Sequence, residues 1–148
     1  MMLTSDDVQK IIKHRYPILF IDKVTSLNPM KECVAVKNFS YNEWFFPSHF
    51  EAEALVPGSL QIEAYTQAVG IMLLVNDNKC INNEIELLLM TVDKVRFYKA
   101  IKPGDIFKIK VKIDKIAMGM ASAFASGYVD DKIVSECKIG YKIKGLKK

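Results

Sequence analysis

The 148-residue chain is poor in the residues that build the commonest kinds of site. Its three cysteines, Cys33, Cys80 and Cys137, are far apart and include no Cys-x-x-Cys pair. That pattern argues against a disulfide framework or a structural zinc site and points to a reducing, cytoplasmic setting. Only two histidines occur, His14 and His49, without ligand spacing, so no catalytic metal is expected. There is no glycine-rich phosphate loop, so no nucleotide cofactor is indicated. Ser48 and Ser59 lie near His49, but no Gly-x-Ser-x-Gly elbow is present to make a nucleophile of either. Long apolar runs are missing too. The most apolar stretch, "AVGIMLLV" (Ala68 to Val75), is too short to cross a bilayer, and "MMLTSDDVQK" at the N-terminus has no signal-peptide core.

Charge excludes little more. The net charge is +4, with lysines scattered along strand-like segments and gathered at Lys142, Lys144, Lys147 and Lys148. A nucleic-acid reader would cluster them on one element; these read as solvated strand faces and a frayed tail. No repeat, low-complexity tract or linker interrupts the chain, so residues 1–148 are expected to form one domain.

What is present is the balance of a globular protein, 50% apolar and 26% charged. "TSDDVQKIIK" (Thr4 to Lys13) reads as a short helix, with Thr4 or Ser5 as cap and Asp6 and Asp7 at the positive end of its dipole. Pro17 and the β-formers after it make Arg15 to Leu27 extended, and "ECVAVKNFS" reads as a strand. From about Ser59 to Val75 there is no proline and one charge, Glu63, which is the pattern of a buried helix begun at Pro57-Gly58-Ser59. After the polar "NDNKCINN" the chain reads as strands. Phe107, Ile109, Val111 and Ile113 alternate with charged residues, and Ile133, Ser135, Cys137, Ile139, Tyr141 and Ile143 form a second alternating set. One long buried helix and a strand meander predict an α+β domain with the helix on an antiparallel sheet.

Glu63 is the residue this pattern makes expensive. A buried carboxylate needs a partner, a wet cavity or a function. Gln67, four residues on, shares its helix face and can bond it or line the same cavity. A structural carboxylate satisfied by a neighbour is the plainer alternative. His49, between Phe46 and Phe50, matters for its company, because imidazole moves protons near neutral pH. His14 is the weaker candidate: it follows a polar helix and no carboxylate in a comparable setting is evident. Pro57-Gly58 can be a helix start and nothing more, or the first-turn N–H groups there can hold a developing oxyanion.

His49-Phe50, Pro57-Gly58, Glu63-Ala64 and Gln67 stand in an order and spacing that resembles the β-hydroxyacyl-(acyl carrier protein) dehydratases. "HRYPILFIDKV", "VAVKNFSYNEWFFPSHF" and "VDKVRFYKAIKPGD" resemble other segments of that family. The resemblance implies a hot-dog fold, a long helix wrapped by a curved antiparallel sheet, paired into a homodimer or a trimer of dimers. It also implies dehydration of a (3R)-3-hydroxyacyl thioester on acyl carrier protein to the trans-2-enoyl thioester, in fatty-acid or related acyl-chain synthesis. By position, His49 would take the α-proton, Glu63 of the other subunit would assist departure of the hydroxyl, and Gly58 and Gln67 would contact substrate. No cofactor, nucleic acid or membrane is implied. The chain departs from the family where His-Phe-Pro-Gly-x-Pro is replaced by "HFEAEA" (His49 to Ala54), which predicts a different loop path. A thioesterase of the same fold, with Glu63 activating water, and a non-catalytic acyl-binding or assembly subunit are the alternatives.

Overall fold

The structure, a computed structural model, describes residues 1–48, 53–76 and 85–145. Helix α1 (Ser5–Ile11) opens on a capping box: Thr4 Oγ1 accepts the Asp7 N–H, and the Asp7 carboxylate accepts the Thr4 N–H. The Thr4 N–H, and after it the Thr4 hydroxyl that donates to the same oxygen, hold the Asp7 carboxyl below the usual aspartate range. The helix stops before the expected Lys13. Ile12 turns extended and enters the core, while the Arg15 guanidinium gathers the carbonyls of Gln9, Ile12 and His14.

Helix α2 (Gly58–Leu74) is within one residue of its expected span and is buried from Ala64 to Leu73. Six strands surround it: β1 (Lys23–Asn28), β2 (Glu32–Asn38), β3 (Glu86–Phe97), β4 (Ile106–Ala117), β5 (Met120–Val129) and β6 (Lys132–Lys144). They form one antiparallel sheet in the order β1-β2-β4-β5-β6-β3. α2 packs on β2, β3, β4, β5 and β6, so the sheet wraps the helix in the α+β hot-dog arrangement. The core lies between them. Phe107, Ile109 and Val111 of β4 and Ala121, Ala123 and Ala125 of β5 face inward, while Lys108, Lys110 and Lys112 face solvent.

On β6 the expected alternation fails at one end. Gly127 pairs with Ser135 but Tyr128 pairs with Ile133, leaving Val134 as an extra residue. This bulge turns Ile133 outward and buries Val134 completely. At the far edge, β3 pairs with β6 on one side and leaves Leu89, Met90, Val95 and Phe97 exposed.

Cys33 and Cys137 are buried free thiols. Burial pushes each up to about 12, with Glu136 adding to the effect at Cys137. Alkylation of the native protein near pH 8 should therefore spare both, and denaturation should expose both. Peptide mapping that finds either modified in native protein would contradict their burial. No described helix is long and apolar enough to cross a membrane.

Candidate active site

Glu63 sits where the buried surface of α2 opens onto a cavity of about 560 Å³. That volume suits a small-molecule or acyl ligand. About a third of its side chain, 34%, stays exposed, so the carboxylate is less buried than the helix pattern predicts. Its desolvation cost is correspondingly partial.

Gln67 lies one turn further on and is almost completely buried. Its Nε2 donates to Glu63 Oε1 at 3.0 Å and to the Ile18 carbonyl at 2.6 Å, while its Oε1 accepts the Phe20 N–H at 2.8 Å. Both amide hydrogens are thereby used, one of them on the carboxylate. The same amide stitches the Ile18–Phe20 segment to α2, which explains a buried polar residue in the middle of an apolar helix. Glu63 and Gln67 thus share one wall of the cavity, as their spacing predicts.

The residue that the sequence pattern set aside is also there. His14 Nε2 lies 3.5 Å from Glu63 Oε1, and both side chains line the cavity. The carboxylate that His14 lacks in its own segment is Glu63, brought to it by the fold. No local signal in the chain pairs them, because His14 leaves α1 on an irregular segment and Glu63 lies on α2. The Arg15 clamp and the Gln67 bonds to Ile18 and Phe20 hold that segment at both ends.

Tyr141 of β6 also lines the cavity, its hydroxyl donating to the Thr66 carbonyl at 2.9 Å. Burial pushes its phenol up to about 12, and the Glu63 carboxylate acts in the same direction. It is a fixed donor at neutral pH and no proton acceptor. Leu87 and Leu89 of β3 and Leu74 of α2 give the cavity an apolar part, beside the polar Lys13, Thr66 and Glu86.

Gly58 opens α2 behind Pro57, and no side chain caps that helix. Leu60 and Gln61 donate back to the Pro57 carbonyl, whereas the Gly58 and Ser59 N–H groups have no partner within a helix. A β-carbon on Gly58 would stand 2.6 Å from Cζ of Phe97, so glycine there permits the ring to cover the helix start. Phe97 was not foreseen as part of this region. Gly58 does not line the cavity that holds Glu63.

His49 and part of the "HFEAEA" loop lie outside the described residues. The chain leading to them is firmly anchored. The Lys37 ammonium, buried on β2, meets Glu43 at 2.8 Å and Asp22 at 3.8 Å, and Phe45 and Phe46 pack into the core before the short 3-10 turn at Phe46–Ser48. Among the described residues no group of three or more histidine, cysteine, aspartate or glutamate side chains could hold a metal ion. A carboxyl group held by an amide beside an imidazole, on the wall of a partly apolar cavity, can deliver a proton to a leaving oxygen.

The model of the FabA-like domain matches residues 12–138. The chain is 36% identical to a 3-hydroxyacyl-(acyl-carrier-protein) dehydratase FabZ of Macrococcus caseolyticus, over 96% of each chain. It is 38% identical to the FabZ of Clostridioides difficile, over 93% of each. Among solved structures, a chain of the dehydratase heterocomplex ApeI:P from Xenorhabdus doucetiae superposes with a TM-score of 0.73 at 15% identity, covering 91% of this chain and 89% of that one. At that identity the likeness is one of fold.

Proposed function

The chain belongs to the FabA-like domain family, and from that premise we propose that it is a hydro-lyase of fatty-acid or related acyl-chain synthesis. It dehydrates a (3R)-3-hydroxyacyl thioester carried on acyl carrier protein to the trans-2-enoyl thioester. The observation that carries this reading is Glu63, set by Gln67 at the wall of a cavity, in a chain that matches dehydratases over nearly its whole length.

The elimination needs three groups. His49 removes the α-proton, the Gly58 N–H holds the thioester oxygen as negative charge moves onto it, and the returning electron pair forms the Cα–Cβ double bond. The C–O bond at Cβ breaks as Glu63 gives its proton to the departing hydroxyl, which leaves as water. The imidazolium then loses its proton and the Glu63 carboxylate regains one, restoring the site. Gln67 contacts the substrate side of the cavity and orients the acid. Residues 1–148 act as one domain in the cytoplasm, and the net reaction needs no cofactor.

The active unit is a homodimer, in which His49 of one subunit faces Glu63 of the other. The exposed apolar edge at β3 supports this, since an edge strand with one side unpaired and carrying Leu89, Met90 and Phe97 is suited to extend its sheet with a second copy.

A crotonyl thioester tests the reading in one assay. Loss of enoyl absorbance is the expected result, by hydration in the reverse direction. Release of free thiol would indicate a thioesterase instead, and neither change a non-catalytic subunit. His49→Ala should lower the hydration rate by about 10²- to 10⁴-fold, and an unchanged rate would remove His49 from the mechanism.

A further inference from the structure

We propose that His14 is a positioning residue for Glu63: its Nε2–H and the Gln67 amide together hold Glu63 Oε1, fixing the carboxyl group that hands its proton to the leaving hydroxyl. This rests on Glu63 being the acid of the reaction.

Three observations carry it. The imidazole Nε2 lies 3.5 Å from Glu63 Oε1, close enough to bond with a slight closure of the site. The same oxygen already accepts the Gln67 N–H at 3.0 Å, so the two donors converge on one atom from two different segments. Finally, His14 Nδ1 is shielded from solvent and has no hydrogen-bond partner among the described residues. A proton on Nδ1 would be a buried, unsatisfied donor, whereas a bare Nδ1 leaves only an unused acceptor. The cheaper tautomer is the one with hydrogen on Nε2, aimed at Glu63.

The surroundings keep the ring in place. Arg15 holds the His14 carbonyl at 2.7 Å and the Gln9 and Ile12 carbonyls beside it, so the backbone under the ring is pinned. The titratable and charged groups around the imidazole are Glu63 on α2, Glu86 on β3, Tyr141 on β6, and the adjoining Lys13 and Arg15. Of the two carboxylates, Glu63 is the one in contact.

Without the His14 donor, the Glu63 carboxyl is less well aimed. The test is therefore kcat and KM for dehydration by His14→Leu and His14→Gln, each with its thermal unfolding recorded, beside Glu63→Gln. His14→Leu should lower kcat by roughly 10-fold with KM little changed. His14→Gln, whose amide can place an N–H at the position of Nε2, should recover most of kcat. In a Glu63→Gln background, His14→Leu should cost nothing further. Full kcat in His14→Leu would overturn the proposal. So would equal losses in both His14 variants, since that is the mark of packing alone. If Glu63→Gln itself stays active, the failure lies in the role given to Glu63 and not in its coupling to His14.

Discussion

Glu63→Gln should lower kcat for dehydration by about 10³-fold while the protein keeps its fold. Glutamine has the shape of glutamate and can still accept the Gln67 N–H through its own oxygen, so the 3.0 Å contact survives the change. What it lacks is a proton to give. The leaving hydroxyl would then have to depart as hydroxide, a far poorer leaving group than water, with no acid beside it. Stability should change little, because the Glu63 side chain is a third exposed and its contact to His14 is partly screened by solvent. Thermal unfolding and turnover thus separate: an unchanged melt with a collapsed kcat is the expected pair of results. Activity within a few-fold of wild type would remove Glu63 from the chemistry.

The same variant tests whether the site is shared. His49→Ala and Glu63→Gln chains, each inactive alone, should regain about a quarter of wild-type activity when unfolded and refolded together in equal amounts, since half the dimers are mixed and each of those holds one intact site. No recovery would place both residues in one subunit.

Gly127→Ala should be the most damaging single methyl group in the molecule, at about 3 kcal/mol, or a fall in melting temperature of roughly 6–12 °C. The reason lies in two rings. A β-carbon on Gly127 would stand 2.2 Å from Phe107 Cε1 and 2.3 Å from the Tyr65 hydroxyl oxygen. Neither ring has anywhere to go. Phe107 is fully buried between Phe39 and Tyr65, with ring centres 5.9 Å and 5.6 Å away. Tyr65 is tied by its hydroxyl to the Ser135 carbonyl at 3.1 Å and to the Ser135 hydroxyl. Burial pushes the Tyr65 phenol well above the usual tyrosine range, so it stays a neutral donor to Ser135 at any working pH. Moving it would break bonds that have no water to replace them. A second change, Phe107→Leu, removes the nearer clash and should cost less in the Gly127→Ala protein than in wild type. A melt of Gly127→Ala within a degree of wild type would mean that the two rings yield far more readily than their contacts suggest.

Both positions show how the chain divides its information. The start of α2 at Gly58, the burial of its middle turns and the alternation on β4 were legible because each depends on neighbours in sequence. Proline and glycine set the helix start, and the absence of charge over Ser59–Val75 left no polar face to expose. The joint placement of Glu63 and Gln67 was legible for the same reason, since four residues of helix return to one face. The inward set on β6 was read correctly from Ser135 to Ile143 and wrongly at Ile133, because a bulge depends on the partner strand's register and leaves no local mark.

Other features required the tertiary structure. Glycine is needed at position 127 of β5 because Tyr65 of α2 and Phe107 of β4 occupy the space above it. Gln67 is buried because two backbone groups of the Ile18–Phe20 segment arrive to meet it. His14 joins Glu63 because α1 ends early and Arg15 fixes the turn that follows. By itself, the sequence determined the buried faces of α2 and β4, most of that of β6, and the helix face that would carry Glu63 and Gln67. Only the tertiary structure decided what Glu63 would meet, because contacts between remote segments depend on how the elements pack and have no period along the chain.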